Sequence, residues 1–237
     1  MAVVLTLFWR WPSGMRKEQP QLHVQPLLRD ILADIAGVRE ALIFTPAQAS
    51  DIYTHDGAGP PLGLQLEFAD ILALEGAAGR AGALQALFDP GVLSETLEPT
   101  LGDAQAFLRR SYPVYEPLRE TVADPCSFVV HYPGRARDIN AWLAHYISGH
   151  VPLMQQLPGV RAVEVLTPVE WISALPVRKA THMQRNRIVF DNPVALTAAL
   201  QSPIRRELRA DFEKLPPFVG GSFHHAMSTE TVPVRAR

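Results

Sequence analysis

The chain carries a single cysteine, Cys126, so no disulfide can form within it. That scarcity fits a reducing, cytoplasmic compartment. No apolar run reaches the roughly 18 residues that a membrane helix requires. Residues 1–14 are apolar but lack the basic start and long apolar middle of a signal peptide, and they read as a strand. Basic residues are scattered and the formal net charge is −2, which argues against a nucleic-acid partner. No Gly-x-Gly-x-x-Gly, phosphate-binding loop or Gly-x-Ser-x-Gly sequence is present. Metal-ligand spacing is missing too. His224 and His225 are adjacent and on a strand would point to opposite faces, while Asp51, His55 and Asp56 lie in a Gly/Pro-rich stretch that reads as a solvated loop. Neither a metal nor a cofactor is expected. Cys126 has no obvious activating base and reads as a passive thiol.

What is present is an internal repeat. Gly37-Val38-Arg39 and Thr45-Pro46 recur as Gly159-Val160-Arg161 and Thr167-Pro168, 122 residues later. Phe68 answers to Phe190, and Ala73-Leu74 to Ala195-Leu196, at the same offset. An ungapped match of this kind implies two copies of one unit, residues 1–118 and 119–237, arranged as a fused pseudo-symmetric pair.

The second copy is the easier to read. Residues 127–132 (SFVVHY) form a strand stopped by Pro133-Gly134. Asp138 caps a helix with Ile139, Trp142, Leu143, Tyr146, Ile147, His150 and Met154 on one stripe. Residues 162–166 and 185–190 are strands flanking a long loop. Asn192-Pro193 opens a second helix whose buried side takes Val194, Leu196, Leu200, Ile204, Leu208 and Phe212. Residues 222–227 close the unit as a fourth strand. The order is β-α-β-β-α-β, and the first copy follows it with strands at 3–11, 41–44, 62–68 and 103–112 and helices over 24–35 and 72–87. The predicted class is α+β: two tandem ferredoxin-like units packed sheet to sheet as a pseudo-dimeric α/β barrel, helices outside.

Residues 149–154 (GHVPLM) with Leu157-Pro158-Gly159, and Ile188-Val189-Phe190-Asp191, resemble the EthD family of dimeric α/β barrels. The resemblance covers 127–228 well and 1–118 less well, because His23-Val24-Gln25-Pro26 carries an extra residue between His and Pro. It implies a barrel with a ligand cavity inside each sheet. Relatives include cofactor-independent lactone isomerases and polyketide-type cyclases, and more distant barrels include oxygenases and haem-binding enzymes. In the lactone-isomerase branch the motif His lines the catalytic cavity, a role that would fall on His150.

His150 lies on the apolar stripe of its helix, and an imidazole there suits general acid–base work. The alternative is a buried structural His. Strand alternation turns Gln65, Glu67, Arg185 and Arg187 toward the other sheet. Aligning Pro12 with Pro133 matches Arg10 with His131. Glu164 sits where Leu42 does, and the last strands match Arg109 with His225. The expected interior thus holds Arg10, Glu67, His131, Glu164, Arg187 and His225. Either these pair as a salt-bridge network, for instance Glu67 with Arg187, or they line a polar cavity for an oxygenated small molecule. On the second view His150, His131 and His225 are the acid–base candidates. Arg10, Glu67, Glu164, Arg187, Tyr146 and Trp171 bind substrate, with Trp171 placed to cover a cavity mouth.

The leading expectation is therefore a cofactor-independent enzyme. It would carry out proton-transfer chemistry (isomerisation, cyclisation or decarboxylation) on a small aromatic, lactone or polyketide-like compound. The alternatives are a non-catalytic carrier of a hydrophobic intermediate and an oxygenase or haem-binding barrel. The expected partner is a small hydrophobic or aromatic ligand, with no nucleic acid and no membrane, and the fused pair is a candidate for a further homodimer.

Overall fold

A computed structural model describes residues 2–12, 26–57, 59–93, 97–119, 125–235 of the 237-residue chain. His23 lies outside them. The strands are β1 (Ala2–Trp9), β2 (Val38–Pro46), β3 (Gly63–Phe68), β4 (Gly102–Tyr112), β5 (Cys126–Tyr132), β6 (Val160–Pro168), β7 (Arg178–Lys179), β8 (Gln184–Phe190) and β9 (Phe223–Val232). Their lateral order is β1-β3-β2-β9-β5-β8-β6-β4, and β1 pairs with β4, so eight antiparallel strands close a barrel. The two-residue β7 hangs outside on β4. Closure removes every free edge except at β7. Within each half the connectivity is β-α-β-β-α-β, as the ferredoxin-like reading requires. The halves join through the ladders β2–β9 and β4–β6.

The helices are α1 (Pro26–Asp34), α2 (Ile71–Ala78), α3 (Ile139–His145), α4 (Val151–Met154), α5 (Pro193–Leu200) and α6 (Pro203–Phe212). Side-chain oxygens of Asp70, Asp138 and Asn192 cap α2, α3 and α5. The single second helix expected over 72–87 stops at Ala78, where Gly79 follows, and resumes as a 3₁₀ turn at Ala83–Phe88. The one expected from residue 193 onward splits at Gln201-Ser202, because Pro203 cannot donate to the preceding turn. Val194, in the first turn of α5, is 78% exposed rather than buried.

Two apolar clusters fill the space between barrel and helices. One holds Leu5, Leu7, Trp9, Leu64, Leu66, Phe68 and the first half's helices, and the other Phe128, Val130, Tyr132, Val163, Val165, Ile188, Phe190 and the second half's. The alternate residues point inward, and the barrel interior is occupied. Phe8, Leu42, Phe44, Val129 and Met227 form an apolar group there. Around it the Glu164 carboxylate accepts from Arg187 Nη1 at 3.0 Å, Arg109 Nη1 at 3.3 Å and Gln65 Nε2 at 3.1 Å. Arg109 also pairs with Glu67 and Glu40. Arg185 bonds Thr6, Asp103 and His182. Burial opposes ionisation of Glu164, yet Arg187, Arg109 and Gln65 together hold its carboxyl below the usual range.

Several expectations are corrected here. Arg10 is exposed beyond the end of β1, where its guanidinium meets solvent instead of the interior. Glu67 pairs with Arg109, not Arg187. Phe8 faces Gly63 as His131 faces Arg185, so His131 is the counterpart of Phe8 and not of Arg10. Arg109 faces Leu166 as Thr229 faces Phe44, and Thr6 faces Gln105 as Val129 faces His225. Arg109 therefore matches Thr229, and Gln105 matches His225.

Removing one member of a buried charge network strands the others. Glu164→Ala should destabilise the fold by about 3–5 kcal/mol, measured by denaturant unfolding. An effect near zero would show the interior charges to be solvated. At one end of the barrel His131 lies 5.6 Å from His182 and 5.5 Å from His225, ring to ring. Burial, then Arg185, push His182 down to about 4, with Asp103 opposing and Arg178 adding to the fall. Burial, with His224 adding and Asp56 opposing, does the same to His225. Folding keeps these rings neutral, so their contribution is complete above the unfolded value near 6.5 and is lost as pH falls toward 4. Stability should drop across that window, and His225→Gln should flatten the drop.

Candidate functional site

On the helix side of the second sheet a cleft with about 370 Å3 of empty space, its solvent-open part included, is lined by Phe128, Tyr132, Tyr146, His150, Arg205 and His224 among others. Its walls come from β5, β8 and β9 below and from the segment between α3 and α4 and from α4, α5 and α6 above.

Local sequence explains why His150 points here. Between α3 and α4 the helix widens into one π turn over Tyr146–His150, with the Val151 N–H bonding to the Tyr146 carbonyl. Pro152 lacks the N–H that would reach the Ser148 carbonyl and its ring crowds that position, so the turn opens by one residue. Ser148 Oγ bonds back to the Ala144 carbonyl at 2.8 Å. The π turn sets Tyr146 and His150 side by side, ring centroids 4.7 Å apart, both buried.

Asp211 on α6 holds His150. Its Oδ2 lies 2.8 Å from His150 Nδ1 and its Oδ1 3.1 Å from His145 Nε2. A Cβ on Gly149 would come within 2.9 Å of Asp211 Oδ1, so glycine is what lets the carboxylate approach the π turn. Burial lowers the His150 pKa and outweighs Asp211, which raises it, while Arg205 and His224 lower it further. His150 is thus a neutral imidazole at neutral pH, with Nδ1 engaged and no protein partner for Nε2 among the described residues.

Below the helix, Gln184 Nε2 donates to Asn186 Oδ1, and Asn186 Nδ2 to the Tyr146 hydroxyl. Burial pushes the Tyr132 phenol up to about 12, and it pushes Tyr146 well above its ordinary value, so both remain protonated donors. The β2–β3 connection of the first half meets two of the lining residues, Arg205 and His224. Asp51 takes the Arg205 fork, Nη2 to Oδ2 at 2.7 Å, and Tyr53 lies under that guanidinium. Asp56 Oδ2 accepts from the His224 backbone N–H at 2.8 Å and lies 2.9 Å from its Nδ1. These acids are engaged, not solvated as expected.

Of the expected site residues, the structure brings Tyr146 and His150 together at this cleft. His131 and His225 face the barrel interior, where His131 Nε2 and His225 Nδ1 have no hydrogen-bond partner among the described residues. Glu67, Glu164 and Arg187 belong to the interior network. Trp171 is buried in the first half's apolar cluster. Tyr132, Asn186, Arg205, Asp211 and His224 were not anticipated. A signal existed: at the offset of 122, Leu62 and Leu64 become Gln184 and Asn186, two amides on a face that should be apolar. Among the described residues no cluster of His, Cys, Asp and Glu is arranged to hold a metal ion, and no helix is long and apolar enough to cross a membrane.

No protein-family model matches the chain, and no curated protein does. Solved structures do resemble it. An anthrone oxidase-like protein is 14% identical with TM-score 0.61, covering 100% of this chain and 96% of its own. A candidate monooxygenase from Fusobacterium nucleatum is 8% identical with TM-score 0.56, covering 98% and 94%. An EthD family protein from Bacillus halodurans is 19% identical over 41% of this chain and 97% of its own, with TM-score 0.32. At these identities the likeness establishes the fold, a ferredoxin-like barrel spanning the whole chain.

Asp211→Asn removes the one group that raises the His150 pKa. An NMR titration should find His150 lower still in that variant and in Gly149→Ala, which displaces the carboxylate. An unchanged titration would mean that the 2.8 Å contact carries no weight in solution.

Proposed function

We propose that this chain is a cofactor-independent enzyme that removes an acidic proton from a small aromatic or polyketide-like ketone, with His150 as the base. The observation that carries this reading is the Asp211–His150 pair lining a cleft, His150 neutral and its Nε2 unengaged. A general base needs this arrangement: an orienting carboxylate on one ring nitrogen and a free lone pair on the other. As the proton arrives, the imidazolium gains the adjacent Asp211 charge, which offsets the cost of charging a buried ring. The raised phenol Tyr132 stays protonated and can donate to the oxygen on which negative charge develops, while the Tyr146 hydroxyl already donates to Met154 Sδ.

The carbanion so formed has two fates. Return of the proton from His150 at another carbon gives isomerisation, and where the ligand carries a second carbonyl the carbanion can instead form a C–C bond to it, the proton passing from His150 to the new alkoxide, which is cyclisation. Reaction with dioxygen converts the CH2 to C=O with release of water and needs no other reductant. Likeness to an anthrone oxidase-like protein and to a candidate monooxygenase supports the second fate, and the His150-Val151-Pro152-Leu153 element supports an EthD-type reading of the second half.

The test uses 2-indanone, a small enolisable aromatic ketone, in deuterated buffer. Wild type should accelerate exchange of its CH2 protons, and His150→Ala should lose about 100-fold or more, the low end of what a positioned base contributes. Because the His150 pKa is lowered, the neutral base persists below 6.5, so the exchange rate should stay level as pH falls through 6.5 and drop only lower. Equal exchange in wild type and variant overturns the assignment, as does a Soret band in the purified protein. Oxygen uptake with the same probe separates the two fates.

A further inference from the structure

Arg205 is 8% exposed and lines the cleft beside His150. Its Nε and Nη2 are both taken by Asp51, at 3.0 and 3.2 Å and at 2.7 Å, in the two-pronged geometry that fixes a guanidinium plane. The Tyr53 ring supports the same plane, 5.2 Å from Cζ. That leaves Nη1 with no protein partner among the described residues. Both Asp51 and Tyr53 come from the first half's β2–β3 connection, which is anchored further by Asp56 on His224 and by the Ser50 N–H on Thr197 Oγ1.

We infer that Arg205 is the anion-holding residue of this cleft, its Nη1 taking the oxygen of a ligand that ionises there, a phenol or an enolisable ketone, with Asp51 as its positioning residue. This rests on the His150 reading of the site. Charge balance selects the ligand class. The Arg205–Asp51 pair is neutral overall, so a ligand that arrives already anionic meets Asp51 and Asp211 as well as Arg205. A ligand that arrives neutral and passes its O–H or C–H proton to His150 leaves the cleft's total charge unchanged. Its oxyanion then lies against Nη1, and the new imidazolium lies against Asp211. Only a proton moves, and no electron is transferred. The cleft is thereby shared between the halves, since the base comes from the second and the group that orients the guanidinium from the first.

The probe is p-nitrophenol, whose ionisation is visible, with p-nitroanisole as the analogue that cannot ionise. In wild type the bound phenol should titrate below the free one. In Arg205→Gln the bound phenolate should weaken by about ten- to a hundredfold, the range of a hydrogen bond to a charged group, while p-nitroanisole binding stays the same. Arg205→Gln alone strands Asp51, so the double variant Arg205→Gln/Asp51→Asn, which removes both charges, guards against simple unfolding and should show the same loss. Asp51→Asn alone should lose part of the effect. A bound-phenol titration identical in wild type and the double variant overturns the inference, as does p-nitrophenol that never ionises on the wild-type protein. His150→Ala separates this from the base assignment: Arg205-dependent phenolate binding should survive in it even where 2-indanone exchange is lost.

Discussion

The structure turns on one buried carboxylate. Glu164 projects into the closed barrel and takes hydrogen bonds from Arg187 in its own half and from Arg109 and Gln65 in the other. Alone it would be among the costliest groups the chain could bury, and Arg187, for which no other carboxylate partner is seen among the described residues, would be nearly as costly without it. Paired, they pin the register of β4 on β6, the seam that turns two sheets into one barrel. They also occupy the interior. The cleft lies elsewhere, between the barrel and its helices.

There the two halves diverge, although their backbones follow the same plan. Each lends its long connection between second and third strands to the other. From the second half Trp171 and Leu175 plunge into the first half's apolar cluster, and the Ala174 N–H bonds to the Ala78 carbonyl. Trp9, Leu62 and Leu64 complete a solid core. In the second half the counterparts of those three residues are Tyr132, Gln184 and Asn186, and the connection from the first half brings Asp51 to Arg205 and Asp56 to His224 instead of a tryptophan to the core. One exchange of arms fills a core, and the other holds two residues that line a cleft.

The repeat made the fold legible, and the same repeat misled where its offset changes. An offset of 122 holds from β2 and β3 to β6 and β8, but the first strands are offset by 123 (Phe8 to His131) and the last by 120 (Arg109 to Thr229), as their ladder partners show. Aligning on Pro12 and Pro133 therefore slid Arg10 onto His131. Alternation correctly turned Gln65, Glu67, Arg185 and Arg187 inward, because one face of each strand must meet the helices. It could not tell which charge meets which, since Arg109 and Glu164 lie 55 residues apart in sequence. The cleft was hidden for a related reason. A 3.6-residue period placed His150 on a buried stripe, but the partners that define its chemistry, Asp211 and Arg205, sit on the following helix. Their inward turn depends on the break at Pro203.

Pro152 and Pro203 then do complementary work. The first removes one donor from a helix, opens a π turn and brings Tyr146 and His150 level over the sheet. The second restarts a helix at the angle that carries Arg205 and Asp211 to the same place. Gly149 leaves the gap through which the Asp211 carboxylate reaches both His145 and His150. A histidine kept only to fasten a helix would need none of this: one carbonyl would satisfy it, and a buried acid between two imidazoles would be an unnecessary cost. In the proposed reaction the acid becomes useful when His150 takes up a proton, because burial that disfavours the imidazolium at rest is then offset by a charge already in position. The proposal for Arg205 gives Asp51 the same part. In both pairs a carboxylate engages one edge of a planar nitrogen group whose side chain lines the cleft.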